Sequence, residues 1–87
     1  MIQGHVQRYF VLHLEIGEDR PSPELAYEVQ ILDREGRARA CGHVGESDTR
    51  LAVSGEEVPI PVIEAARRQP YGKGDYVTAT GESAPPF

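Results

Sequence analysis

The chain has one cysteine, one lysine, no tryptophan and no asparagine among its 87 residues. A single cysteine forms no internal disulfide, so a reducing compartment, the cytoplasm, is the expected location. No apolar run approaches the roughly 20 residues of a membrane span, and no membrane association is expected. The opening MIQGHVQRYF lacks the basic-then-apolar order of a secretory signal. Positive charge is scarce, with nine Lys and Arg against fourteen Asp and Glu and a net charge of −5. That balance disfavours nucleic acid as a partner, because binding phosphates needs a basic surface. Lys73 aside, every fixed cation is Arg, which suits bidentate recognition but also fits codon bias in a GC-rich genome.

What is present fits one modest folded unit. Apolar residues make up 39% and charged residues 26%, the balance of a globule rather than a disordered chain. A domain of this size buries only roughly 60–65% of its unfolded surface. Residues 1–81 are expected to form the domain, and 82–87 a mobile tail.

The segment YEVQILDREGRARACGHV, from Tyr27 to Val44, carries the strongest pattern. Leu25, Tyr27, Val29 and Ile31 alternate with Glu28 and Gln30, the period of a strand with one buried side. Ala38, Ala40, Gly42 and Val44 then alternate with Arg37, Arg39, Cys41 and His43. Packing the small face against the large one predicts a hairpin with Ile31 opposite Ala38, Val29 opposite Ala40 and Tyr27 opposite Gly42. Asp33 to Gly36 is then a four-residue loop, with Gly36 in the left-handed conformation. On the outer face Gln30 falls opposite Arg39 and Glu28 opposite Cys41.

Further strands are predicted over residues 5–16, 49–53 and 75–80. In the first, Val6, Arg8, Phe10, Leu12, Leu14 and Ile16 share the face assigned to the core. Gln7, Tyr9, Val11, His13 and Glu15 share the other. Two prolines and three acids between Gly17 and Glu24 mark an exposed loop. Leu51 and Val53 are expected to point inward, and residues 54–57 to turn. Pro61 starts a helix over 62–69, with Arg67 and Arg68 at its C-terminal end, and Pro70 stops it. Four strands, a short helix and a fifth strand give a mainly β fold. The expectation is a small antiparallel five-stranded barrel or strongly curved sheet, which resembles the SH3-like barrel in element order only. The alternative is an open antiparallel sheet with the helix packed on one face.

Chemistry is thinly supported. Cys41 and His43, two apart on a strand, share a face and could both reach one metal ion. Zinc needs further ligands, for which His13 or His5 would have to serve. The same pair could act as nucleophile and base, but a strand thiol between Ala40 and Gly42 has no cleft or oxyanion hole. Gly72-Lys73-Gly74 lacks the remaining residues of a phosphate loop. Glu56, Glu57 and Glu64 have no pocket around them in the pattern. No cofactor is expected, and an enzyme is the weaker reading.

Tyr9, Val11 and His13, an amphipathic outer row on the first strand, are the candidate partner surface, together with Arg37, Arg39 and His43. The leading functional reading is therefore a small acidic, non-catalytic protein-binding module: an adaptor, assembly subunit or inhibitor. Its partner is a protein, which includes a second copy of itself in a homodimer. A metal-binding or thiol-dependent protein using Cys41 and His43 is the alternative.

Overall fold

The computed structural model describes residues 7–17, 19, 21–22, 24–48 and 50–84. Its elements in chain order are β1 (Arg8–Ile16), β2 (Glu24–Leu32), β3 (Ala38–Gly45), β4 (Ala52–Val53), β5 (Glu56–Glu57), α1 (Ile60–Arg67) and β6 (Gly74–Thr78). One antiparallel sheet runs in the order β3-β2-β1-β6, and β4 and β5 form a separate hairpin. No barrel closes. The expected fourth strand is only two residues long and folds back on β5 instead of bridging the ends of the sheet. The open sheet with a helix on one face is the arrangement found.

The helix spans Ile60–Arg67 rather than the expected 62–69, because the prolines set its start two residues earlier. Pro59 takes the N-cap position and Pro61 lies in the first turn, where a missing N–H costs nothing. Val62, Ile63, Ala65 and Ala66 form its buried stripe. That stripe packs on Tyr9, Val11, Tyr27, Val29, Ile31, Val44 and Val77, with Val53 and Val58 from the hairpin region completing the core.

The core face of β1 is the reverse of the one its hydrophobicity predicts. Tyr9 and Val11 are 7% and 0% exposed, whereas Phe10, Leu12 and Leu14 are half-buried on the opposite face. Pairing with β2 imposes this. Tyr9 lies opposite Ile31, Val11 opposite Val29 and His13 opposite Tyr27, and directly opposed residues share a face. Both sides of β1 are apolar, so its neighbour chose the side that the helix covers.

The β2–β3 hairpin keeps the predicted core face for Tyr27, Val29, Ile31, Ala40, Gly42 and Val44, but Leu25 and Ala38 are exposed, Ala38 being turned to the other face opposite Leu32, and the predicted pairing shifts by two residues. Ile31 lies opposite Ala40, Val29 opposite Gly42 and Tyr27 opposite Val44. The first residue of the shift comes from the loop. Asp33 N–H donates to Arg37 O at 2.7 Å, and Gly36 N–H to Asp33 O at 3.0 Å. The connection is therefore Arg34-Glu35-Gly36, a turn closed by Gly36 at φ 82°. The Asp33 carboxylate accepts from Glu35 N–H and Arg37 N–H, both at 2.9 Å, which draws Asp33 into the strand pair. The second residue comes from a bulge. Leu32 pairs with Ala38 and Ile31 with Ala40, so Arg39 stands unpaired between them.

Gly42 is covered by the small hairpin, not by Tyr27. A β-carbon there would lie 3.1 Å from Val53 Cγ2 and 3.6 Å from Leu51 Cδ1. The hairpin turns tightly at Ser54 and Gly55, both with positive φ. Leu51 and Val53 do point inward, as their spacing suggests.

Residues 82–84 return along β6. Val77 bridges Ser83, Thr78 N–H donates to Glu82 O at 2.9 Å and Ala84 N–H to Tyr76 O at 2.8 Å. The segment expected to be a mobile tail is thus attached up to Ala84, and residues 85–87 lie outside the described set.

Candidate functional site

The sheet separates the candidate residues into two groups. One face packs under α1 and the β4–β5 hairpin, and no described helix or strand lies across the other. On that open face two rows can be traced through the strand pairing. Cys41, Gln30, Phe10 and Tyr76 form one, and His43, Glu28, Leu12 and Gly74 form the next. The rows are polar on β3 and β2 and apolar on β1.

On the polar side Glu28 accepts from Gln30 Nε2 at 2.6 Å and stands 3.4 Å from His43 Nε2. Cys41 is exposed beside them. On the apolar side the Phe10 ring tilts against Tyr76 at 5.0 Å between centroids. It also covers Gly74, where a side chain would collide with it. Ala26 and Leu32, on the same face, are each 2% exposed. Their hydrophobicity places Phe10, Leu12 and Leu14 in the core, whereas the pairing of β1 with β2 puts them on this face. The register between β1 and β2 was the missing signal.

Tyr9, Val11 and His13 occupy the covered face, so the expected outer partner row does not exist. His13 is built into the fold. Its backbone O accepts from Gly72 N–H at 2.8 Å and its N–H donates to Lys73 O at 3.3 Å. Its Nδ1 lies 3.0 Å from Gln69 O, so the ring donates there. Tyr27 and Tyr71 flank the ring at 4.7 and 5.6 Å. His13 thereby pins the connection between α1 and β6 onto the sheet. It is on the opposite face from Cys41 and His43, which removes it as a third ligand to a metal there. Among the described residues no cluster of three His, Cys, Asp or Glu side chains could hold a metal ion. His5 lies outside the described set.

The four residues Arg37, Arg39, Cys41 and His43 do not form one stripe. Arg37 stays at the loop, 3.9 Å from Asp33 and 3.7 Å from Glu35. The bulge turns Arg39 toward β5, where its guanidinium makes a forked pair with Glu56 at 2.5 and 2.9 Å. The hydrogen bond from Arg39 holds the Glu56 carboxyl below its usual range. Burial lifts the Tyr9 phenol above its usual range, Glu56 adds to that rise and Arg39 opposes it. Glu56 is therefore a structural partner, a role that the dipeptide Ser54-Gly55 between short alternating segments could have signalled. Glu57 pairs with Arg50 at 2.8 Å, and Glu64 is exposed on the helix.

Beside β3, Glu24, Leu25, Gly45, Glu46, Ser47 and Asp48 line an open depression of acidic character. No helix among the described residues is long and apolar enough to cross a membrane. Comparisons with protein-family models, with curated proteins and with solved structures return no match.

Proposed function

We propose that the chain is a small protein-binding module acting in the cytoplasm, and that its working surface is the open face of the sheet. One observation carries this reading. Phe10, Leu12 and Leu14 line the inner strand β1 on the face away from α1, next to the polar group of Glu28, Gln30 and His43. An apolar centre bordered by hydrogen-bonding and charged side chains is the make-up of a protein interface. The net charge of −5 favours encounter with basic partner surfaces. In this reading Cys41 and His43 are contact groups of the face, beside Glu28 and Gln30.

The test is capture from cells of the source organism, with wild-type protein and a Phe10→Ser/Leu12→Ser variant as baits. A stoichiometric partner held by the first and lost by the second is expected. Equal recovery by both, or none by either, would remove the reading. Metal analysis of the purified protein, with Cys41→Ser as control, addresses the metal alternative, which requires near-stoichiometric metal lost in the variant.

A further inference from the structure

β6 is an outer strand of the sheet, and the chain covers its free edge with a strap of its own residues 82–84. Thr78 N–H donates outward to Glu82 O at 2.9 Å, and Tyr76 O accepts from Ala84 N–H at 2.8 Å. A directly opposed, hydrogen-bonded pair in an antiparallel ladder exchanges two bonds. Tyr76 and Ala84 share only one, because Tyr76 N–H donates to the Asp75 carboxylate at 2.9 Å instead. The next donor in the alternation is Pro86, which has no N–H to give.

The strap is therefore weakly held. One side-chain bond, from the Ser83 hydroxyl to Asp75 at 2.9 Å, completes its attachment. Glu82 and Ser83 are exposed and Ala84 is half-buried, so little apolar surface is sealed beneath it. Fixing the backbone of one residue costs about as much as one such hydrogen bond contributes. The turn before the strap is anchored more closely. Gly81 N–H donates to Thr78 O at 2.9 Å, and a β-carbon on Gly81 would lie 2.6 Å from Pro61 O at the start of α1. Release frees residues 82–84 and leaves β6 and its turn in place.

The strap is also a template for what replaces it. The two groups that donate to Asp75, Tyr76 N–H and the Ser83 hydroxyl, are neutral, so neither compensates its charge. A lysine or arginine in the Ser83 position would do so. Ala84 opposes Tyr76, whose ring tilts against Phe10, so a side chain in the Ala84 position adjoins the apolar row of the open face. We infer that the β6 edge takes an extended basic segment of a protein partner as an added strand, and that residues 82–84 occupy the edge until it arrives. Tyr76 O and Thr78 N–H hold that segment by its main chain, and Asp75 selects its cation. The inference goes beyond the open-face reading and stands without it.

Native-state hydrogen exchange reads the strap directly. The Thr78 amide, bonded to Glu82 O, should exchange at least about tenfold faster than the Val77 amide, which belongs to the pairing with Tyr9. Ser83→Lys should slow the Thr78 amide about threefold, and Asp75→Asn/Ser83→Lys should not. The probe for the partner is a fluorescent peptide, TGEKATT, which is residues 80–86 with lysine in the Ser83 position and threonine for both prolines. Full-length Ala84→Pro lacks the N–H that donates to Tyr76 O. It should bind the peptide about tenfold more tightly than wild type, as removal of a competitor bound nine-tenths of the time requires. Asp75→Asn/Ala84→Pro should lose that gain. A Thr78 amide as protected as Val77 would overturn the release of the strap. Equal peptide binding by wild type and Ala84→Pro, or none by either, would overturn strand addition. Neither result touches the capture experiment with Phe10→Ser/Leu12→Ser, so the two readings fail separately.

Discussion

Val53 stands over Gly42, its γ2 methyl 3.1 Å from the point where a β-carbon on the glycine would lie. A valine at position 42 would push the β4–β5 hairpin off the sheet, because the interior leaves no room for added methyl groups. Gly42→Val should destabilise the protein by roughly 1–3 kcal/mol in urea denaturation. Adding Val53→Ala should recover part of that loss. A double variant no better than the single would show that the two positions do not meet.

The two faces of β1 should respond unequally to truncation. Val11 is fully buried under α1, so Val11→Ala removes two buried carbons and leaves a cavity, costing roughly 2 kcal/mol or more. Leu12→Ala, on the half-buried open face, should cost clearly less despite removing more atoms. The midpoints of chemical unfolding, compared at equal slope, decide the matter.

The loop makes a sharper demand. Gly36 has φ 82°, a conformation that a β-carbon penalises by about 1 kcal/mol. Gly36→Ala should lose about that much stability, and Gly36→Asn should lose less, since asparagine tolerates this region.

Two titrations carry opposite signs. The folded state raises the pKa of Tyr9, through burial first and Glu56 second, so it favours the neutral phenol. That contribution is whole below the ordinary phenol value of about 10 and fades as pH rises through the folded value. Wild type should therefore lose more stability on going alkaline than Tyr9→Phe does. Glu56 is lowered by its hydrogen bond from Arg39, so its contribution is whole above the ordinary carboxylate range and fades as pH falls through the folded value. Carboxyl NMR should show Glu56 titrating at higher pH in Arg39→Gln.

The sequence carried the strand periods, the presence of a short proline-led helix, the glycine turn at Gly36 and the inward direction of Leu51 and Val53. All are local: each follows from alternation or from the backbone limits of one residue. What it left open was relative placement. Gly42 and Tyr27 matched in size, but a hairpin from outside the pair filled the gap. The one-residue bulge at Arg39 left no trace in the alternation of Ala38, Ala40 and Val44. The face of β1 followed from its partner strand, since Tyr9 and Val11 are no more apolar than Phe10 and Leu12. The candidate surface moved with that face.

The inner position of β1 also carries an expectation about the order in which the protein assembles. β1, β2 and β3 are successive antiparallel neighbours, and each pairing closes a modest loop. The pairing of Tyr9 with Val77 instead spans the hairpin, the helix and the 69–73 connection that His13 holds. Long-range closures of that kind are slow. The three-strand meander should therefore protect its amides from hydrogen exchange before β6 does during refolding. In the native state β6 and residues 82–84 should be the first to open.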